Sequence, residues 1–143
     1  MYIYGVLKNS DEELTDIKRI FEEVYKNMPD AMHRAESSMS DENIVYAVVY
    51  EKDKAVAAGS MAFEGDDEAR ITQIAVRAEN RGLKYGDMTL RMLLANAFQK
   101  GISRIYVSPK GESDGFFKKT GFHQMQDGYV IEKQDFIAPC HQK

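Results

Sequence analysis

Apolar residues recur along this chain at two periods, and the switches between them mark its elements. After an apolar opening at residues 2–7, Ser10 stands three positions before Glu13, the capping-box spacing that satisfies the first free amides of a helix. Leu14, Ile17, Phe21, Val24 and Met28 follow at steps of three and four, which predicts a helix with one face on a core. Asp16, Lys18, Arg19, Glu22 and Glu23 fall on its wet side. Pro29 marks its expected end, because proline disfavours helical backbone in the residue before it. Residues 30–42 are polar, with Met32, His33 and Met39 scattered among them, and have room for a short second helix.

Residues 44–50 and 55–63 are β-rich runs joined by Lys52, Asp53 and Lys54, and a polar turn at Gly65, Asp66 and Asp67 leads into a third run at 69–76. Together they predict an antiparallel meander. Helical period returns over 86–100 with Leu90, Leu93, Leu94, Ala97 and Phe98, and Gly101 stands where a left-handed cap belongs. A short buried strand at 105–107, a short helix at 113–120 closed by Gly121, and a tight turn at Asp127 and Gly128 complete the pattern. The expectation is one mixed α/β domain over residues 1–143, built round a single sheet, with 138–143 as a tail.

Composition narrows the function. Apolar residues (43%) and charged residues (29%) are interspersed, as in a globular protein. The net charge of −4 argues against a general nucleic-acid binder, which would neutralise phosphates with a basic surface. No apolar run approaches the roughly 18 to 20 residues that cross a bilayer, and the opening residues lack a basic segment followed by an apolar stretch, so a cytoplasmic protein without membrane association is expected. Cys140 has no partner for an internal disulfide, and His33, His123 and His141 have no metal-ligand spacing, so no metal site is expected.

The chemistry concentrates between Ile71 and Met88, where a strand runs through a glycine-bearing loop into a helix. Amides at a helix start have no internal acceptor and the helix dipole is positive there, so such a loop can hold a pyrophosphate with backbone groups alone. Arg81 and Lys84 add positive charge. The Gly-Lys-Ser/Thr of a P-loop and the Gly-x-Gly-x-x-Gly of a dinucleotide fold are both absent.

Over about residues 55–122 the sequence resembles the GNAT N-acetyltransferase family. Ile74, Ala75 and Val76 are similar to the strand end before that family's cofactor loop. The run from Arg81 to Gly86 is similar to its Arg/Gln-x-x-Gly-x-Gly/Ala loop, and Phe116 to Phe122 to its Phe-Tyr-x-Lys-x-Gly-Phe ending. The resemblance implies a mostly antiparallel sheet splayed between the strands at 69–76 and 104–107, with the pantetheine arm of acetyl-CoA in the gap. It implies contacts to the co-substrate from Ile74, Ala75, Val76, Arg81, Gly82, Leu83, Lys84, Tyr85, Gly86, Asp87 and Phe117, and acetyl transfer to a primary amine of a small molecule or peptide by direct attack. A homodimer is a further implication, since dimers are common in that fold.

Three positions depart from the family pattern. Lys84 replaces the first loop glycine, which costs on the order of 1 to 2 kcal/mol if the position is left-handed, part of it recoverable by an ammonium–pyrophosphate contact. Phe117 replaces the tyrosine that many members use as acid toward the leaving thiolate, leaving solvent or the hydroxyl of Tyr85, Tyr106 or Tyr129 for that role. Arg70 stands where some members carry a glutamate base, with Glu68 two residues away on the same strand face and Glu79 at the mouth of the loop. The resemblance further implies acceptor contacts from the segment after the first helix and from the final hairpin, which here offer Met28, His33, Arg34, Glu36 and Tyr129. With acid and base both displaced, a non-catalytic acyl-CoA-binding or protein-interaction module is the alternative to an enzyme.

Overall fold

The computed structural model describes residues 3–8, 10–38, 43–107 and 114–136. The predicted tail at 138–143 lies outside them. Strand β1 (Ile3–Leu7) leads to helix α1 (Asp11–Val24), whose N-cap Ser10 accepts the Glu13 amide at 3.4 Å. Asp11, Glu12 and Glu13 fill the first turn, where the helix dipole favours acids. The helix stops at Val24, so Met28 falls outside it, 54% exposed, and not on the buried stripe. Pro29 opens helix α2 (Pro29–Ser38) as its first residue, a position where the missing N–H would have had no acceptor in any case.

Strands β2 (Ile44–Glu51), β3 (Lys54–Phe63) and β4 (Glu68–Val76) form the expected meander. Helix α3 (Tyr85–Gln99), strand β5 (Arg104–Val107), helix α4 (Asp114–Thr120) and the hairpin β6 (His123–Met125) and β7 (Gly128–Glu132) follow. The seven strands lie in the order β1-β2-β3-β4-β5-β7-β6, and β4 and β5 are the parallel pair. Helix α1 covers one face, burying Ile17, Ile20 and Phe21 with Tyr46, Val48, Ala58 and Ala75. Helix α3 covers the other, where Leu90, Leu93, Leu94 and Ala97 pack with Met61, Ala69, Ile71, Ile105 and Ile131. Packing over β3 is so close that a Cβ on Gly59 would stand 2.8 Å from both Ile74 Cδ1 of β4 and Thr89 Cγ2 of α3.

Two irregularities of β4 prepare the site. Ser60 pairs with Gln73 but Met61 pairs with Ile71, so Thr72 is an extra residue, a bulge fastened by a 2.6 Å hydrogen bond between the Ser60 and Thr72 hydroxyls. The bulge reverses the alternation: Ala69 and Ile71 join the α3 core before it, and after it Ile74 does so while Ala75 turns toward α1. The second irregularity is in pairing, since β5 accompanies β4 only from Glu68 to Ile71. Beyond Ile71, no described strand lies along that edge of β4, and the sheet opens there.

Candidate functional site

From Thr72 to Val76, the open edge of β4 presents main-chain polar groups without a neighbouring strand, and the chain then continues through a 3-10 turn (Ala78–Asn80) and the loop into α3. The N–H groups of Gly82, Leu83 and Lys84 have no acceptor among the described residues. No side chain caps α3, whose first helical amides lack intrahelical partners. A row of strand amides and carbonyls thus runs into a cluster of amides at the positive end of a helix dipole. That arrangement fits a ligand with an amide-bearing arm and a pyrophosphate.

Each loop residue has a distinct environment. Gly82 (φ +82°) and Lys84 (φ +69°) are both left-handed, the conformation in which a lysine is strained, and Lys84 is exposed. Leu83 is 56% exposed. Arg81 folds back so that its Nε donates to the Val76 carbonyl at 3.3 Å. Asp87 is engaged by Arg91 at 2.9 Å and accepts from the Thr120 hydroxyl at 3.5 Å, tying the start of α3 to α4 and offsetting a carboxylate that would otherwise repel phosphate. A Cβ on Gly86 would lie 3.3 Å from Val76 Cγ2 and 3.5 Å from Phe116 Cε1, so the narrow space between β4, α3 and α4 leaves no room for a large side chain. Tyr85 is buried with Val49, Val56 and Ala57 and points away from the open edge. Its phenol is held above its ordinary pKa first by burial and then by its bond to the Glu51 carboxylate.

The catalytic candidates do not meet at one point. Glu68 sits on the closed part of β4, where its Oε2 accepts from Arg104 at 3.4 Å and from the Tyr106 hydroxyl at 3.1 Å. Arg70, beside it, lies over the Tyr106 ring at 5.7 Å and pairs with Glu64 at 3.3 Å. Tyr129 belongs to the α3 core and is 3% exposed. Phe117 is 5% exposed in the same core, stacked on Tyr129 at 5.9 Å and edge-on to Phe116 at 5.0 Å and Phe122 at 5.4 Å. Glu79 is spent on an exposed pair with Lys54 at 3.4 Å. Met28 and His33 are exposed, and the side chains of Arg34 and Glu36 lie outside the described residues.

Sequence reasoning passed over two features. The Thr72 bulge had a signal, because Ile71 and Ile74 stand three apart where a strand face repeats every two. Asn80 had none: it is buried, at 9% exposure, in the turn before Arg81, and its Oδ1 has no hydrogen-bond donor among the described residues.

With this geometry in hand, comparison with known proteins gives a consistent answer. The model of the acetyltransferase (GNAT) family matches residues 12–122, and the chain belongs to that family, whose co-substrate is acetyl-CoA. An uncharacterized acetyltransferase of Streptococcus pyogenes is 28% identical over 86 residues, covering 60% of this chain and 59% of that relative, so the match spans less than two thirds of the relative's length. The fold is also that of a GNAT-family structure from Desulfovibrio desulfuricans, with TM-score 0.77 at 12% identity over 92% of this chain and 99% of that one. It is likewise that of the PaiA N-acetyltransferase of Thermoplasma acidophilum in complex with coenzyme A, with TM-score 0.65 at 18% identity over 93% and 99%. Among the described residues no helix is long and apolar enough to cross a membrane.

Proposed function

We propose that this chain transfers an acetyl group from acetyl-CoA to a primary amine carried by a small molecule or a peptide. The observation that carries the reading is the open edge of β4 at Thr72–Val76 continuing into an uncapped α3. In this reading Ile74, Ala75 and Val76 offer main-chain groups to the pantetheine arm. Residues 81–87 receive the pyrophosphate through loop and helix amides, with charge from Arg81 and Lys84. Phe117 helps wall the cleft.

The acceptor amine, in its neutral form, attacks the thioester carbonyl carbon; a C–N bond forms, the C–S bond breaks, and the thiolate leaves. The amine's surplus proton passes through water to Glu68, whose hydrogen bonds from Arg104 and Tyr106 both go to Oε2. Tyr129 is assigned to protonate the thiolate, because its ring stacks on the one at position 117, beside the place of the missing family acid. A cytoplasmic location and a homodimer complete the proposal; a monomeric mass in solution contradicts the latter.

Release of free thiol from acetyl-CoA, measured against polyamines, amino sugars, amino acids and N-terminal peptides, tests the reading. Amine-dependent release from native chain that falls in Tyr129→Phe is the expected result. A second reading, an acyl-CoA-binding module without turnover, is favoured by the engagement of Glu68 with Arg104 and Tyr106 and by the burial of Phe117. Binding of CoA without thiol release on any amine selects it.

A further inference from the structure

The turn between β4 and the loop holds two polar atoms that the fold leaves idle. Among the described residues, Asn80 Oδ1 is sealed from solvent with no donor and Arg77 Nε is sealed with no acceptor, although the other two nitrogens of that guanidinium hold the Ala55 carbonyl at 3.3 Å and Glu23 at 2.7 Å. The turn itself is weakly closed. Asn80 donates its N–H to the Arg77 carbonyl at 2.8 Å, but the next bond, Arg81 N–H to the Ala78 carbonyl, is 3.4 Å long. Two left-handed residues, Gly82 and Lys84, follow directly.

A buried acceptor without a donor is destabilising, and a fold that retains one offers it a partner in another state or loses stability for nothing. For an asparagine the nearest partner is defined by local geometry: its side-chain oxygen accepts readily from main-chain amides about two residues ahead, closing an Asx turn. Here those amides belong to Gly82 and Leu83, neither of which has an acceptor among the described residues. Arg81, next to Asn80, donates from Nε to the Val76 carbonyl at 3.3 Å across the start of the loop. A pyrophosphate at the start of α3 attracts that guanidinium more strongly than a neutral carbonyl does.

We propose that Asn80 is a positioning residue for the phosphate loop: its carboxamide oxygen, without a donor among the described residues, accepts the N–H of Gly82 or Leu83 when a pyrophosphate is bound, and so fixes the loop around it. Asn80 touches neither the ligand nor the reacting atoms. It acts through the loop, leaving the amides of Lys84 and the first turn of α3 to the phosphate. The proposal rests on the reading of residues 81–87 as a pyrophosphate site.

The test compares native chain with Asn80→Leu, which keeps the bulk and removes the idle acceptor, and with the smaller pair Asn80→Ala and Asn80→Ser, of which only serine retains an oxygen. Without ligand, Asn80→Leu is expected to melt at or above the native temperature. With CoA it is expected to bind about tenfold more weakly, Asn80→Ser to bind more tightly than Asn80→Ala, and the amide of Gly82 or Leu83 to gain protection from hydrogen exchange in native chain only. An Asn80→Leu chain that melts several degrees lower and binds CoA with native affinity makes Asn80 a packing residue and overturns the proposal. If native chain itself binds no CoA, the pyrophosphate reading falls and takes the role of Asn80 with it.

Discussion

The two ends of strand β4 treat polar groups in opposite ways. At its start, Ala69 to Ile71 is paired on both sides, and the charges around it are matched: Glu68 with Arg104 and with the Tyr106 hydroxyl, Arg70 with Glu64, Arg104 with Glu132. At its end, among the described residues, Thr72 to Val76 has no strand along one edge, the amides of Gly82, Leu83 and Lys84 have no acceptor, no side chain caps α3, and Asn80 holds a buried oxygen without a donor. Ionisable residues crowd the first end, yet the hydrogen-bonding capacity that a ligand could use is at the second. A site of this kind is found by asking which main-chain groups have no partner, more than by asking where acids and bases cluster.

The largest expected effect breaks the second end outright. Gly86→Trp forces a ring into the space between Val76 and Phe116, and CoA binding should vanish while circular dichroism still reports a folded chain. Retained affinity would put the ligand elsewhere. Next in size, Arg81→Ala should weaken CoA by about 1.5 to 3 kcal/mol, the range for a charge-assisted hydrogen bond, and the loss should shrink for pantetheine, which has no pyrophosphate. Glu68→Gln, made at the other end of the strand, should leave CoA affinity within twofold of native. Equal losses from the two changes would erase the contrast between the ends.

Position 117 tests how far the core reaches into the cleft. With its ring packed by Phe116, Phe122 and Tyr129, Phe117→Tyr should lower stability by about 1 to 3 kcal/mol, the cost of an unsatisfied buried hydroxyl, with no gain in turnover. A rate gain without loss of melting temperature would instead open that ring to the thiolate. A smaller effect comes from the loop: Lys84→Gly should raise stability by about 1 kcal/mol by relieving left-handed strain, while slightly weakening CoA through loss of the ammonium. Stability and affinity moving together would contradict the assignment of Lys84 to the phosphate.

The smallest effect is seen at alkaline pH. Burial, with Asp16 beside Tyr50 and Glu51 beside Tyr85, raises both phenol pKa values above 10 in the folded chain. Unfolded chain loses these protons from about pH 10 and folded chain retains them, so their contribution to stability is full below that pH and declines above it. Tyr50→Phe and Tyr85→Phe should each flatten the decline of melting temperature between pH 10 and 11. A slope unchanged in both variants would contradict the shifts.

Much of the fold was legible because its elements obey one period each. Ser10 and Glu13 marked the start of α1, Gly101 the end of α3, and the steps of Leu90, Leu93, Leu94 and Ala97 its buried face. Met28 and Pro29 misled for one reason: proline both excludes helix before it and begins helix well, and only packing decides which dominates. The loop from Arg81 to Asp87 could be proposed from the sequence because glycine and backbone direction make its chemistry local. Glu68 and Tyr129 were drawn from the sequence without their neighbours, since the bonds of Glu68 to Arg104 and Tyr106 and the stacking of Tyr129 on Phe117 join residues far apart in the chain. Asn80 was invisible for the complementary reason. An idle oxygen is a property of burial, and no residue type announces it.

The central claim, that the bare edge of β4 and the loop after it hold a pantetheine arm and its pyrophosphate, is tested most directly by calorimetric titration of native chain with CoA and, separately, with pantetheine. The account predicts one CoA bound per chain and an affinity for pantetheine at least a hundredfold lower, because the loop amides and Arg81 then have nothing to hold. No heat with CoA, or equal affinity for the two ligands, would contradict it.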